Sequence, residues 1–124
     1  MTPRDLFLVE FPGLAELELE GAYFEPHILD GALVGSALVW GTEVHYVAAP
    51  EWRQGRLSKR RIIREFLAVL LAKSPLGFLT TRAHATNTTA RDFVERVGFK
   101  PTWSDGDINF YMLGSLPFSK RIHP

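Results

Sequence analysis

The sequence predicts a mixed α/β fold, a mainly antiparallel sheet with helices packed on it and one parallel strand pair. Three observations lead there. Residues on both sides of Gly41-Thr42 are β-prone, and those after it alternate between two faces, which predicts a hairpin. Residues 59–73 carry apolar side chains at helical spacing between two β-prone runs, the order of a parallel crossover. Residues 87–98 hold a second amphipathic segment between an Asn and a Gly, residue types that start and stop helices. A chain of 124 residues has the size of one ordinary domain, so 1–124 is read as a single domain with residues 114–124 as its C-terminal tail.

The elements follow in chain order. Residues 5–11 form a short apolar run ended by Pro12-Gly13, and residues 14–20 alternate apolar and acidic types in a way that fits helix and strand equally. Residues 31–40, rich in Val, Leu and Ala, give the first hairpin strand. In the second, 43–48, Val44, Tyr46 and Ala48 alternate with Glu43, His45 and Val47. Pro50 ends that strand, and a polar loop over 51–57 leads to Ser58, a good N-cap residue. The helix over 59–73 groups Ile62, Ile63, Phe66, Leu67, Val69, Leu70 and Leu71 as its core face and leaves Arg61, Arg64, Glu65 and Ala68 opposite. Ser74-Pro75 stops it. Residues 76–81 are a β-prone run expected to lie parallel to strand 43–49, because a helix separates the two. Asn87 or Thr88 caps the next helix, whose Ala90, Phe93, Val94 and Val97 fall at i, i+3, i+4 and i+7 before Gly98. Strands over 99–103 and 108–113 flank the turn Ser104-Asp105-Gly106-Asp107.

Composition excludes several classes. With 46% hydrophobic and 23% charged residues the chain is neither disordered nor fibrous. Its longest apolar stretch, 62–72, is broken by Arg64 and Glu65 and falls short of the ~18 residues of a membrane helix. The start Met1-Thr2-Pro3-Arg4-Asp5 lacks the basic lead of a secretory signal, and a cytoplasmic protein is expected. Without cysteine there is no disulfide, thiolate metal site or cysteine nucleophile. His27, His45, His84 and His123 are not spaced as metal ligands, and no metal is expected. No serine sits in a nucleophile elbow.

The net charge of zero conceals segregation. Seven of the fourteen acids lie in residues 1–30 beside a single base, Arg4, whereas Arg53, Arg56, Lys59, Arg60, Arg61 and Arg64 place six bases in twelve residues without an acid. Neutral charge and the lack of an aromatic stacking motif argue against nucleic acid as the partner. Leu116-Pro117-Phe118 has no role inside the fold and is a candidate docking segment, and the oligomeric state stays open.

The basic focus has the form of an anion site. Strand 43–49 runs into a glycine-containing basic loop and then a helix N-terminus, where amide groups and the positive end of the helix dipole favour a phosphate. Bases in a first helical turn oppose that dipole at about 0.3 to 1 kcal/mol each unless an anion compensates. A solvated basic face, or ion pairs with the acidic front, is the alternative.

Two motifs resemble those of a known family. Pro50-Glu51-Trp52-Arg53, followed by the loop and the long apolar helix, is similar to the acyl-CoA pyrophosphate motif written (Q/R)-x-x-G-x-(G/A). Asn87-Thr88-Thr89-Ala90-Arg91-Asp92-Phe93-Val94-Glu95-Arg96-Val97-Gly98-Phe99 is similar to a later helix that an Asn opens and a Gly-Phe pair closes. Over roughly residues 31–113 the sequence thus resembles the GNAT N-acetyltransferase superfamily. The resemblance implies a GNAT-like sheet whose parallel strands splay apart to admit the pantetheine arm. It implies acetyl-CoA or another acyl-CoA as cofactor and an amine acceptor of unknown identity. Cofactor-binding residues would be Val47, Ala48, Arg53, Gln54, Gly55, Arg56, Leu57, Ser58, Lys59 and Asn87, and Glu43 and His45 are the candidates for the catalytic base.

Three departures bear on activity. Arg56 stands where the motif has its glycine, Ser58 replaces the small Gly or Ala, and Val94 occupies the position where many members carry a Tyr as general acid. They imply weak or degenerate acyl transfer, and whether the protein is an enzyme stays open. Arg56-Leu57-Ser58-Lys59-Arg60 and a shortened N-terminal third most resemble the small acyltransferase-like proteins of tailed bacteriophages. That implies the alternative: a non-catalytic virion-assembly or virion-associated protein, with phage structural proteins as partners, in the host cytoplasm or the virion.

Overall fold

The computed structural model describes residues 2–12, 20–53 and 59–114. The chain divides into two compact units, residues 1–57 and 58–124.

The first unit is a helix on a three-stranded antiparallel meander. Helix α1 (Pro3–Glu10) starts at a reciprocal cap: Thr2 Oγ1 accepts the Asp5 amide at 3.1 Å and the Asp5 carboxylate accepts the Thr2 amide at 2.9 Å. Most of the apolar run over 5–11 is the body of this helix. The alternating segment that follows lies, but for Glu20, outside the described residues. Strands β1 (Tyr23–Leu29), β2 (Ala32–Trp40) and β3 (Glu43–Ala48) pair antiparallel in that order. The second hairpin is the expected one, turning at Gly41 with φ 63°. β1 is an addition to the sequence reading. Pro26 breaks its pattern and removes an amide, yet Asp30-Gly31, at φ 52° and 80°, is the left-handed pair that closes a two-residue hairpin.

Register sorts the meander into two faces. On one stand Glu25 and His27, Gly35 and Ala37, and Tyr46 and Ala48; on the other stand Phe24, Leu38, His45 and Val47. Helix α1 covers the second face. Phe7, 1% exposed, packs with Leu38 and Val47, and Ala22 and Phe24 close the cluster. After β3 the chain enters a short helix, α2 (Pro50–Arg53), which corrects the loop expected to begin at residue 51. Proline suits the first turn of a helix because its missing N–H has no partner to lose there.

Among the described residues the second unit holds two helices and three strands. Helix α3 (Arg60–Lys73) buries Ile63, Leu67 and Leu70 and ends at Ser74, whose hydroxyl donates to the Phe78 carbonyl at 2.8 Å. Val69, assigned by periodicity to the core face, is 52% exposed. Strand β4 (Phe78–His84) begins two residues later than expected, because Pro75, Leu76 and Gly77, with Gly77 at φ 79°, are spent on the turn. Helix α4 (Thr88–Arg96) is followed by β5 (Lys100–Ser104) and β6 (Ile108–Gly114). β6 pairs antiparallel with both β4 and β5. Leu79, Thr81, Val94, Val97, Phe99 and Tyr111 are buried. The Asp105 carboxylate holds the β5–β6 turn by accepting the Asp107 and Ile108 amides at 2.8 and 2.7 Å.

The fold class is the expected one, mixed α/β with mainly antiparallel strands. No helix among the described residues is long and apolar enough to cross a membrane.

Candidate functional site

In the first unit the described candidate residues are Glu43, His45, Val47 and Ala48 on β3 and Arg53 in α2. Glu43 and His45 are two residues apart on one strand and so share a face. Their side chains meet: His45 Nε2 lies 2.8 Å from Glu43 Oε2, with the imidazole 35% and the carboxyl 24% exposed. The sequence offered them as alternatives, and the structure joins them into one pair. When Nε2–H donates to the carboxylate, Nδ1 keeps its lone pair, which is the arrangement of an oriented general base.

Val47 points into the α1 cluster and is 7% exposed, so its peptide groups are what it can offer a ligand. Ala48 is half-buried on the opposite face. The Ala49 amide donates to the Val34 carbonyl at 2.8 Å and holds the chain in line until Pro50 starts α2. Arg53 is the last residue of α2. Gln54, Gly55, Arg56, Leu57 and Ser58 lie outside the described residues.

On the opposite face of the same meander is a polar contact that the sequence reading did not single out. Tyr46 reaches across β2 to His27 on β1, with its hydroxyl 2.7 Å from Nδ1. Gly35 makes the reach possible, since a Cβ there would meet the Tyr46 hydroxyl and its ring carbon. Trp52 of α2 sets its ring 5.8 Å from that of His27 at 83°, an edge-on contact. Burial lowers the His27 pKa from its ordinary 6.5 and raises that of Tyr46 above the usual phenol range, so both groups are neutral near pH 7. The available signal was Asp30-Gly31, which announces a hairpin and hence a strand through His27.

In the second unit, Lys59 is the N-cap of α3 and makes no side-chain cap bond, which moves the cap one residue beyond the expected Ser58. The first turn contains no acid. Arg61 pairs with Glu65 at 3.2 Å, but with side chains 89% and 66% exposed the pair contributes little. Asn87 caps α4 as expected, its Oδ1 accepting the Ala90 amide at 3.1 Å; its Nδ2 is what it can offer a ligand. Val94 is buried in the core at 9% exposure, where it has no proton to give. An open groove of about 490 Å³ along α4 is lined by Thr88, Thr89, Arg91, Asp92 and Glu95, two acids against one base, which does not favour an anion. Among the described residues no group of three or more His, Asp or Glu could hold a metal ion.

No protein-family model matches the chain, and no curated protein matches its sequence. Solved structures do match. A GNAT-family acetyltransferase from Listeria monocytogenes superposes with a TM-score of 0.53 and 15% identity over 68% of this chain, which spans 59% of that protein. A GNAT-family acetyltransferase from Elizabethkingia anophelis with acetyl-CoA bound gives a TM-score of 0.59 and 13% identity, covering 93% of this chain and 92% of its own. Aminoglycoside acetyltransferase AAC(6')-Ib in complex with ribostamycin and coenzyme A gives 0.60 and 14% identity over 99% of this chain and 79% of its own. Together with the mixed, mainly antiparallel architecture, these matches establish that the chain has the fold of the GNAT acetyltransferases.

Proposed function

We propose that the protein is an acyl-CoA-dependent N-acyltransferase that binds acetyl-CoA or a related thioester and acts slowly on an amine acceptor. The observation that carries this reading is the likeness to an acetyl-CoA-bound structure over 93% of the chain. In this reading the main chain of Val47 and Ala48 receives the pantetheine amides. Arg53, Gln54, Gly55, Arg56, Leu57, Ser58 and Lys59 hold the phosphates, with guanidinium charge supplementing backbone donors where Arg56 replaces a glycine. Asn87 contributes its side-chain amide.

The Glu43–His45 pair is the base. The acceptor nitrogen attacks the thioester carbonyl; a C–N bond forms, the C–S bond breaks, and the proton leaving the nitrogen passes to His45 Nδ1 while Glu43 holds the imidazolium. That proton is then available through solvent for the departing thiolate, the role a Tyr at position 94 would otherwise fill. Val94 and Arg56 favour the second reading, a chain that keeps the fold for binding or virion assembly without turnover.

Calorimetric titration with CoA, beside thiol-release assays with a panel of amines, separates the two. Saturable CoA binding that weakens roughly tenfold in Arg53→Ala/Arg56→Ala, together with turnover that falls about a hundredfold in His45→Asn, supports the enzyme. Binding without turnover on any amine supports the second reading. Absence of CoA binding overturns the first.

A further inference from the structure

We propose that the open face of the second unit's sheet, built on Arg82, Lys100, Trp103 and Phe110, docks single-stranded nucleic acid. The proposal is independent of the acyl-CoA reading and uses other residues. Register lines up one row across three strands: Arg82 of β4, Phe110 of β6 and Trp103 of β5. The neighbouring row, Thr81 and Tyr111, is buried, so alternation turns Arg82 and Phe110 away from the core. Trp103 is 63% exposed and stacks on Phe110, with ring centres 5.3 Å apart at 30°. β5 ends the strand order, so the indole has a neighbouring strand on one side only.

A β-bulge completes the surface. Lys100 pairs with Met112 and Pro101 with Tyr111, but the next pair is Trp103 with Phe110, so Thr102 is the extra residue. Its Oγ1 donates to the Phe110 carbonyl at 3.1 Å, which pins the bulge. Without the bulge Lys100 and Trp103, three residues apart, would stand on opposite faces; with it they share one, in rows about 7 Å apart. Strands β4, β5 and β6 contribute Arg82, His84 and Lys100 and no acid. Asp105 and Asp107 lie in the turn beyond, where the Asp105 carboxylate is engaged by the Asp107 and Ile108 amides. An exposed aromatic stack flanked by exposed cations on a sheet is complementary to the bases and phosphates of an extended strand. A peptide adding as a strand would need the β5 edge, and there Pro101 has no amide to give and the bulge breaks the ladder. The sequence shows no stacking motif because Trp103 and Phe110 belong to different strands, and its neutral net charge averages out this local run of cations.

The probe is a labelled single strand of about twelve thymidines, titrated with the full chain by fluorescence anisotropy at several salt concentrations. Expected is saturable binding with a Kd of about 1 to 100 μM at low salt. Trp103→Ala should weaken it about tenfold at every salt concentration, and Trp103→Phe should keep most of the affinity. Arg82→Ala and Lys100→Ala should each flatten the slope of log affinity against log salt by about 0.7. Should Trp103→Ala not fold, these two slopes decide, and unchanged slopes overturn the proposal. Absence of binding by the wild-type chain, or equal affinity of the wild type and a folded Trp103→Ala, overturns it too. So does displacement of the probe by polyglutamate at equal charge, which would make the face an acceptor of acidic peptides. Displacement by CoA overturns it as well, since the face would then belong to the cofactor.

Discussion

Replacing Gly35 by alanine tests the His27–Tyr46 hydrogen bond directly. The substitution adds a single methyl group to the middle of β2, at a backbone conformation open to any residue, so its cost comes from space alone. The new Cβ would fall on the Tyr46 hydroxyl, with the ring carbon bearing it 2.5 Å away. Tyr46 cannot yield freely, because its hydroxyl is bonded to the buried His27. Overpacking of this kind costs about 1 to 3 kcal/mol. If the ring moves aside, the hydrogen bond is lost and a buried imidazole nitrogen is left without its partner, about another 1 kcal/mol or more. Against this, a glycine-to-alanine change reduces unfolded-state freedom and recovers about 0.4 to 1 kcal/mol. The net expectation is roughly 2 to 3 kcal/mol, a loss of about 6 to 15 °C in melting temperature for a chain of this size. Urea unfolding of Gly35→Ala, Tyr46→Leu and the double variant supplies the assay. Once the side chain at position 46 is shortened, Gly35→Ala should cost about 1 kcal/mol or less, giving a coupling of about 1 to 2 kcal/mol. An equal cost of Gly35→Ala in both backgrounds, or a cost under about 0.5 kcal/mol in the wild type, would refute the reasoning.

Further predictions concern other parts of the chain. Burial depresses the His27 pKa below 6.5, so below pH 6.5 the unfolded chain binds a proton that the folded chain refuses. Stability should therefore fall as pH drops from about 6.5 toward the folded-state value, and His27→Phe should flatten that slope in pH-dependent urea titrations. Asp105, whose pKa is lowered chiefly by the Ile108 and Asp107 amides, gives stability present above about pH 3.8 and lost below it; Asp105→Ala should remove that acid dependence. Leu67, 2% exposed in α3, should cost about 2 to 5 kcal/mol when replaced by alanine, read by thermal unfolding. Asn87→Ser keeps a cap acceptor for the Ala90 amide and should hold stability within about 0.5 kcal/mol, whereas Asn87→Ala should cost about 1 kcal/mol. If the Asn87 amide also touches CoA, both variants should weaken binding equally in calorimetry despite that difference in stability.

Local rules made much of this protein readable from its sequence. The hairpin at Gly41, the helix 60–73 and the Asn87-capped helix that stops before Gly98 are each set by residues a few positions apart: turn glycines, periodic apolar side chains and cap oxygens. Alternation along β3 likewise put Glu43 and His45 on one face before their bond was known. The elements that were missed or displaced obey less local constraints. β1 was obscured because Pro26 interrupts its pattern, while its pairing with β2 comes from a partner strand. β4 starts late because the turn through Gly77 takes the residues that looked extended. Val69 looked like core by period, but exposure depends on where the neighbouring elements stop.

The His27–Tyr46–Trp52 contact marks the limit of reading a chain by its own neighbours. Nothing within a window of about ten residues links a histidine at 27 to a tyrosine at 46, and the glycine that lets them meet is at 35, on a different strand from either. Only the register of three strands brings them onto one face, at a row where the middle strand lacks a side chain. The sequence by itself determined the fold class, the run of six bases between Arg53 and Arg64 and the types of residue available for chemistry, because spacing and composition are properties of the chain. Tertiary structure decided which of those residues meet, because strand pairing joins positions that chain order keeps far apart.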